Sequence, residues 1–449
     1  MKKSREHKPY VGDLGQPLDT AAQKAEVGFG MVALAIVVGF MIGLIVWAVF
    51  WASSALTELL WVDGRESLES ALSQADIPSW WLPIAFCGIG GLVIGLWTRF
   101  FGGQPESLEN VMASVKSTGG YQLERPGASI VGFLLPLVFG GSIGPETGLT
   151  GIIAAACTRI GNSLKAAGIR VKQITDVTVS AALSAVFASP FVGVVAAAED
   201  SMPALDPSDY EFRRKVKLVL YTASALGAII GIGLFTSVFG KESGIPHFDG
   251  VTPGANKLWW ALPCILLGYL AALIFHTAST GFAKLDTRLG DHPVAKPVVA
   301  GLILGILAVP LPYVLFPGEA QSFELMRNWT SVSGTMLIAT GLLKCATTPL
   351  CINLGWRGGH FFPVIFAGIA LGYGIASVGG FEPRFCVAIT TATLVANVQQ
   401  KALLAIAMLL LCFPVQSIPW IGIACLVGAS LPLPDALAKK QQPKQEREA

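Results

Sequence analysis

Between Pro126 and Thr158 one side chain alone carries charge: Glu146, in the stretch FGGSIGPETGLTG (139–151). A lone ionisable group in a long apolar run is costly to bury and marks a functional site. Its neighbours point to anion chemistry. Pro145 suits the first turn of a helix, where its missing N–H would be unpaired anyway, so a helix is predicted over 147–161 that starts at this break. The free N–H groups and partial positive charge of such an end attract anions. Two readings fit Glu146. It is a gate whose carboxylate occupies the anion's place and vacates it on protonation, or it is an acid that simply favours its own helix N-terminus by about 0.3–1 kcal/mol.

A second break repeats the device. In GWRGGHFFPVIFAGIALG (355–372), Gly358 and Gly359 precede Pro363, an early helical residue. The N–H groups of His360, Phe361 and Phe362 are predicted to face a cavity. With Gly144 of the first break they are the candidate anion-binding positions. Two helix N-termini converging at membrane depth bind an anion without a basic side chain, and weakly enough to release it. His360 either titrates near neutral pH or is a polar packing residue.

Such breaks need a membrane scaffold, and the composition supplies one. Of 449 residues, 53% are hydrophobic and 13% charged, against about 25% charged in soluble proteins. Residues 28–62 carry no charge but Glu58, and 177–198, 385–400 and 402–434 carry none. About 20 apolar residues span a bilayer, so the chain is expected to be an all-α polytopic membrane protein. Several apolar segments are short and interrupted by Gly or Pro, as half-helices are. Irregular backbone at that depth must be buried in protein or line a cavity. Paired breaks in two halves point to an inverted-repeat transporter with substrate bound at the break. The expected organisation is a tail at 1–27, a membrane region at 28–436 with halves 28–240 and 257–436, and a tail at 437–449. Both tails and EFRRKVK (211–217) are rich in Lys and Arg, which places them in the cytoplasm of a bacterial inner membrane. The acidic stretch 61–80 is expected to be an outside loop.

Other classes find little support. Net charge is +2 and no basic stripe marks a nucleic-acid surface. No Walker A motif supports an ATP-driven pump. The histidines at 7, 247, 276, 292 and 360 form neither HExxH nor a GxSxG neighbourhood, so an intramembrane enzyme is a remote alternative. The 8 cysteines make no CxxC pair and read as small buried packing residues. No cofactor or metal is expected. Lys344, alone in GLLKCATTPL, snorkels, pairs with an acid or adds positive potential near the pathway.

Four ordered motifs resemble the CLC family of chloride channels and chloride/proton antiporters over residues 30–430. GSIGPETG matches the family's GREGP signature, which makes Glu146 the counterpart of its gating glutamate. Gly359-His360-Phe361-Phe362-Pro363 matches GxFxP in full. FASPFVGVVAAAED (187–200) resembles the segment that ends in two acids, here Glu199 and Asp200, and the resemblance makes Asp200 an inner proton-transfer candidate. FGGQPESLENVM (101–112) resembles GSGIPE, with Gly102 at the anion-coordinating serine. Pro145 replaces the arginine of GREGP, Thr147-Gly148 replaces its final Gly-Pro, and no tyrosine follows Tyr373. Without those two hydroxyls, backbone N–H groups carry more of the binding. The resemblance implies two inverted-topology repeats of many tilted and broken helices, and a homodimer with one pathway per subunit. It also implies transport of a small anion, chloride first, coupled to protons. A passive channel, or fluoride or nitrate as cargo, is the alternative on the same fold.

Overall fold

The computed structural model describes residues 21–102, 105–106, 110–111, 114, 121–166, 214–239, 246–251, 258–410 and 412–433. Glu199 and Asp200 lie outside the described residues. The helices are α1 (Ala21–Glu58), α2 (Arg65–Gln74), α3 (Leu82–Phe101), α4 (Pro126–Val138), α5 (Glu146–Ala166), α6 (Arg214–Phe239), α7 (Leu258–Arg288) and α8 (Ala295–Ala308). They continue with α9 (Glu319–Asn328), α10 (Gly334–Asn353), α11 (Phe361–Gly379), α12 (Pro383–Gln399), α13 (Ala402–Leu409) and α14 (Ile418–Ser430). Six helical stretches among the described residues are long and apolar enough to cross a bilayer. α4 and α8, at 13 and 14 residues, are too short to cross alone.

Two compact units share the chain. One comprises Met1–Trp47, Glu109–Gln122 and Thr150–Lys241, and the other Ala48–Leu108, Leu123–Leu149 and Glu242–Ala449. In the first unit, α1 and α6 approach through glycine. A Cβ on Gly39 would strike the backbone of Ser224, and one on Gly43 that of Ala228. Trp47 then covers Phe235 and Phe239, with ring centroids 5.1 and 5.0 Å away.

In the second unit the same device recurs. Gly91 and Gly95 of α3 meet the backbone of Pro297, Val298 and Val294 at the start of α8, while Gly301 and Gly305 of α8 meet Cys87 and Ile84 of α3. Gly368 and Gly372 of α11 seat on Thr391 and Val387 of α12. Lipid tails give apolar side chains no reason to prefer a protein neighbour, so close backbone approach through small residues has to hold such helices together. Seven of the 8 cysteines behave as expected. Cys87, Cys264, Cys345, Cys351, Cys386, Cys412 and Cys425 are free and buried.

One expectation is corrected. The stretch 61–80 is not simply a loop, because α1 runs on through a π-helical turn, Leu59–Gly64, into α2. The reason is local. RESLESALSQ consists mostly of good helix formers, and Arg65 pairs with Glu69 one turn on at 2.7 Å.

Candidate functional site

Both breaks fall within the second unit, where they meet. Gly144 N–H donates to Gly359 O and Gly359 N–H donates to Gly144 O, each at 2.8 Å. This two-way bridge is the one isolated β-pairing among the described residues. Immediately beyond it the chain enters a helix on each side, α5 at Glu146 and α11 at Phe361. Two helix N-termini are therefore held side by side.

The Glu146 carboxylate lies in the space between them. Its Oε1 accepts the backbone N–H of Phe361 at 2.6 Å, and the group also lies against its own backbone N–H. The residue is 1% exposed. Two glycines shape its seat. A Cβ on Gly144 would collide with Oε2, and a Cβ on Gly359 with Oε1. Sequence reasoning assigned those glycines to breaking the helix, whereas here they also clear the volume the carboxylate fills.

Each break is stapled by a tryptophan. Trp356 is fully buried and donates its indole N–H to Pro297 O at 2.8 Å, while Gly355 turns the chain at φ +97°. Trp61 donates to Val138 O at 2.9 Å, the last residue of α4, and packs on Phe86 and Phe316. Trp61 thus ties α2's approach to the C-terminal end of α4, and Trp356 ties the second break to the first turn of α8. Trp356→Phe keeps the packing and removes one bond, so it should lower stability by about 1 kcal/mol while leaving the fold intact. Denaturant unfolding followed by fluorescence tests this.

Of the predicted positions, Gly144, Glu146, Phe361 and Phe362 come together. Gly144 spends its N–H on the bridge in this conformation. Phe362 is 1% exposed and packs edge-on against Phe50, with ring centroids 6.4 Å apart. His360 sits at the N-cap position of α11 without a side-chain capping bond, and its Nε2 lies 3.1 Å from Gln399 Nε2. Its ring lies against Phe361 and Phe275 at 4.6 and 5.6 Å. Gly102 ends α3 at φ +64°, ψ −144°, a conformation that suits glycine. A hydroxyl cluster that sequence reasoning missed borders the first break. Ser142 Oγ lies 3.2 Å from both Thr348 Oγ1 and Thr347 Oγ1.

Lys344 neither snorkels nor pairs with an acid among the described residues. It is fully buried in α10, and its Nζ donates to the carbonyls of Tyr313, Val314, Leu315 and Phe316 at 3.2, 3.2, 2.7 and 2.6 Å. An ammonium has three N–H bonds, so at least one is shared. The ring of Phe366 lies 5.0 Å beneath it.

Fold and site thus define a multi-pass helical membrane protein in which two broken helices meet end to end around a buried acid. The chain belongs to the voltage-gated chloride channel (CLC) family, which matches residues 90–432. It is 30% identical over 350 residues to YfeO of Escherichia coli strain SMS-3-5, provisionally named an ion-transport protein, covering 75% of this chain and 77% of that one. YfeO of Escherichia fergusonii gives the same figures. Among solved structures, a CLC-type fluoride/proton antiporter superposes with TM-score 0.69 at 19% identity, covering 92% of this chain and 96% of that one. A slow cyanobacterial Cl−/H+ antiporter gives 0.68 at 19% identity, covering 91% and 95%. At that identity the likeness is one of fold, the two-repeat CLC architecture expected from the sequence.

Proposed function

We propose that the protein carries a small inorganic anion, chloride first, across the membrane, and that Glu146 gates the path and couples it to proton antiport. The observation that carries this reading is the 2.6 Å bond from Phe361 N–H to Glu146 Oε1. In its ionised form the carboxylate occupies the place where an anion would meet both helix ends. A charge-assisted bond of this kind contributes about 1.5–3 kcal/mol, and the helix dipole adds to it. Protonation removes the charge and with it most of that attraction, so the seat opens to the anion. Competition between carboxylate and anion for one seat is what links anion movement to protons.

On the same reading Gly102, Gly144, His360, Phe361 and Phe362 line the anion's path through backbone groups. Glu199 and Asp200 are the candidates for the inner end of a proton path. The basic tails support cytoplasmic termini in a bacterial plasma membrane, and the family supports a homodimer in which each subunit has its own pathway.

The test is purified protein in liposomes, with chloride efflux and external pH recorded together. Wild type should show chloride flux with opposed proton movement, and Glu146→Gln should keep chloride flux and lose the proton movement. Chloride flux without protons in wild type overturns the coupling. No chloride flux overturns the choice of chloride and passes the assay to fluoride and nitrate.

A further inference from the structure

Another buried carboxylate oxygen belongs to a turn that is bonded to the first break. Glu319 is the first residue of α9, the ten-residue helix EAQSFELMRN. An acid in a first turn favours the helix dipole, which would explain a carboxylate in water. The tip of Glu319 is not in water. Its Oε1 is sealed from solvent and has no hydrogen-bond partner among the described residues, although the rest of the residue is partly exposed. Burying a carboxylate oxygen without a bond is costly, and that oxygen contributes no hydrogen bond to stability.

The backbone is built to deliver it there. Phe316 adopts φ +62°, a left-handed conformation that is strained for a bulky residue and persists only where its surroundings impose it. Three contacts impose it. Phe316 N–H donates to Gly140 O at 3.0 Å, Lys344 holds its carbonyl, and its ring stands edge-on to Trp61 at 5.2 Å. Gly318 follows at φ +104° and rests on Phe366 of α11, where a Cβ would collide. The turn is thus fixed to the first break at one end and to α11 at the other. It bonds to Gly140, six residues before Glu146, and rests on Phe366, five residues after Phe361, whose N–H holds the Glu146 carboxylate. The other charged and titratable groups around α9 are Lys344, which is bonded to the turn, Tyr373 of α11, which stacks on Trp329, and Arg327 with the exposed Tyr313–Glu324 pair.

We propose that Glu319 is the proton partner of Glu146, passing the proton between the buried gate and the water at the face of α9. This rests on the reading of Glu146 as a protonatable gate. The step is a plain exchange. The O–H bond on Glu146 breaks, an O–H bond on Glu319 forms, and the pair keeps a single negative charge. A carboxyl with one oxygen sealed from solvent, on a residue that is partly exposed, suits that hand-over.

The test is a double-mutant cycle in liposomes with the full chain, using Glu146→Gln, Glu319→Gln and the double variant, with anion and proton movement recorded together. Glu319→Gln should keep anion flux and lower proton movement per anion at least roughly tenfold, equivalent to about 1.4 kcal/mol. Glu319→Asp should restore part of it. In the Glu146→Gln background, Glu319→Gln should change anion flux less than about twofold, because the two residues act on one proton. Unchanged coupling in Glu319→Gln, or an equal loss of anion flux in both backgrounds, overturns the proposal and leaves the anion-transport reading intact. If wild type moves anions without protons, the proton role of both acids falls together. If wild type moves no anion of the three, the transport reading itself has failed.

Discussion

Gly359→Ala should block the seat of Glu146 at every pH. Gly359 does not have a left-handed φ, so alanine is acceptable to its backbone. What alanine cannot do is share space with Glu146 Oε1, because its Cβ would fall on the carboxylate. The carboxylate must leave, and with it goes the bond from Phe361 N–H. Losing a charge-assisted bond of about 1.5–3 kcal/mol shifts occupancy of the seat by roughly ten- to a hundredfold. The methyl group fills the volume in which the anion would replace the carboxylate, so anion efflux at pH 7 should fall by about that factor relative to wild type. The pH profile gives a second reading. In wild type, falling pH protonates Glu146 and raises flux, whereas in Gly359→Ala a group that does not titrate fills the seat and the profile should be flat. Gly422→Ala, where an added Cβ meets nothing within 4 Å, serves as the control and should match wild type. A Gly359→Ala protein that keeps the flux and pH profile of wild type would show that the carboxylate in this seat is not the gate.

The features legible in the sequence were those with a local cause. Glu146 stood out because no other charge lies near it in the chain, and the breaks stood out because glycine and proline declare themselves. The helix predicted over 147–161 is observed at Glu146–Ala166, and the apolar run before it is the helix Pro126–Val138. The features that escaped were those that exist only after folding. Trp61 and Val138 are 77 residues apart, and Trp356 and Pro297 are 59 apart. No pattern within either segment announces those bonds. α9 escaped for another reason. It is short and polar, so it falls below any search for spans, although Pro317-Gly318 followed by an acid and helix formers is a recognisable helix start. Glu319 went unnoticed with it. An acid on a polar helix is ordinary, and only its position against the first break makes it unusual. The resemblance to a known family directed attention to Glu199 and Asp200, while the described residues hold an acid, on a turn bonded to the first break, that none of the four motifs contains.

Lys344→Met should be among the most damaging single changes to stability in this unit. The substitution keeps length and apolar volume and removes only the ammonium. Four carbonyls, from Tyr313 to Phe316, then lose their common donor, and only Leu315 O keeps another, Gln321 Nε2 at 3.2 Å. Each acceptor left unsatisfied at depth costs about 1–3 kcal/mol. Removing a buried charge recovers several kcal/mol of desolvation, so the net depends on which effect is larger. Here the charge is well solvated by the protein, with two bonds of 2.6 and 2.7 Å and an aromatic face beneath, so little is recovered. The carbonyl dipoles left pointing at one another also release Phe316 from its left-handed φ. The expected loss is about 3 kcal/mol, measured by denaturant unfolding in detergent. The same release should loosen the turn before Glu319, so surviving protein should show weakened proton movement per anion while the seat of Glu146 stays intact. A Lys344→Met protein within about 1 kcal/mol of wild type would mean that the turn is held by Trp61 and Gly140 alone, and that Lys344 serves the pathway through its charge.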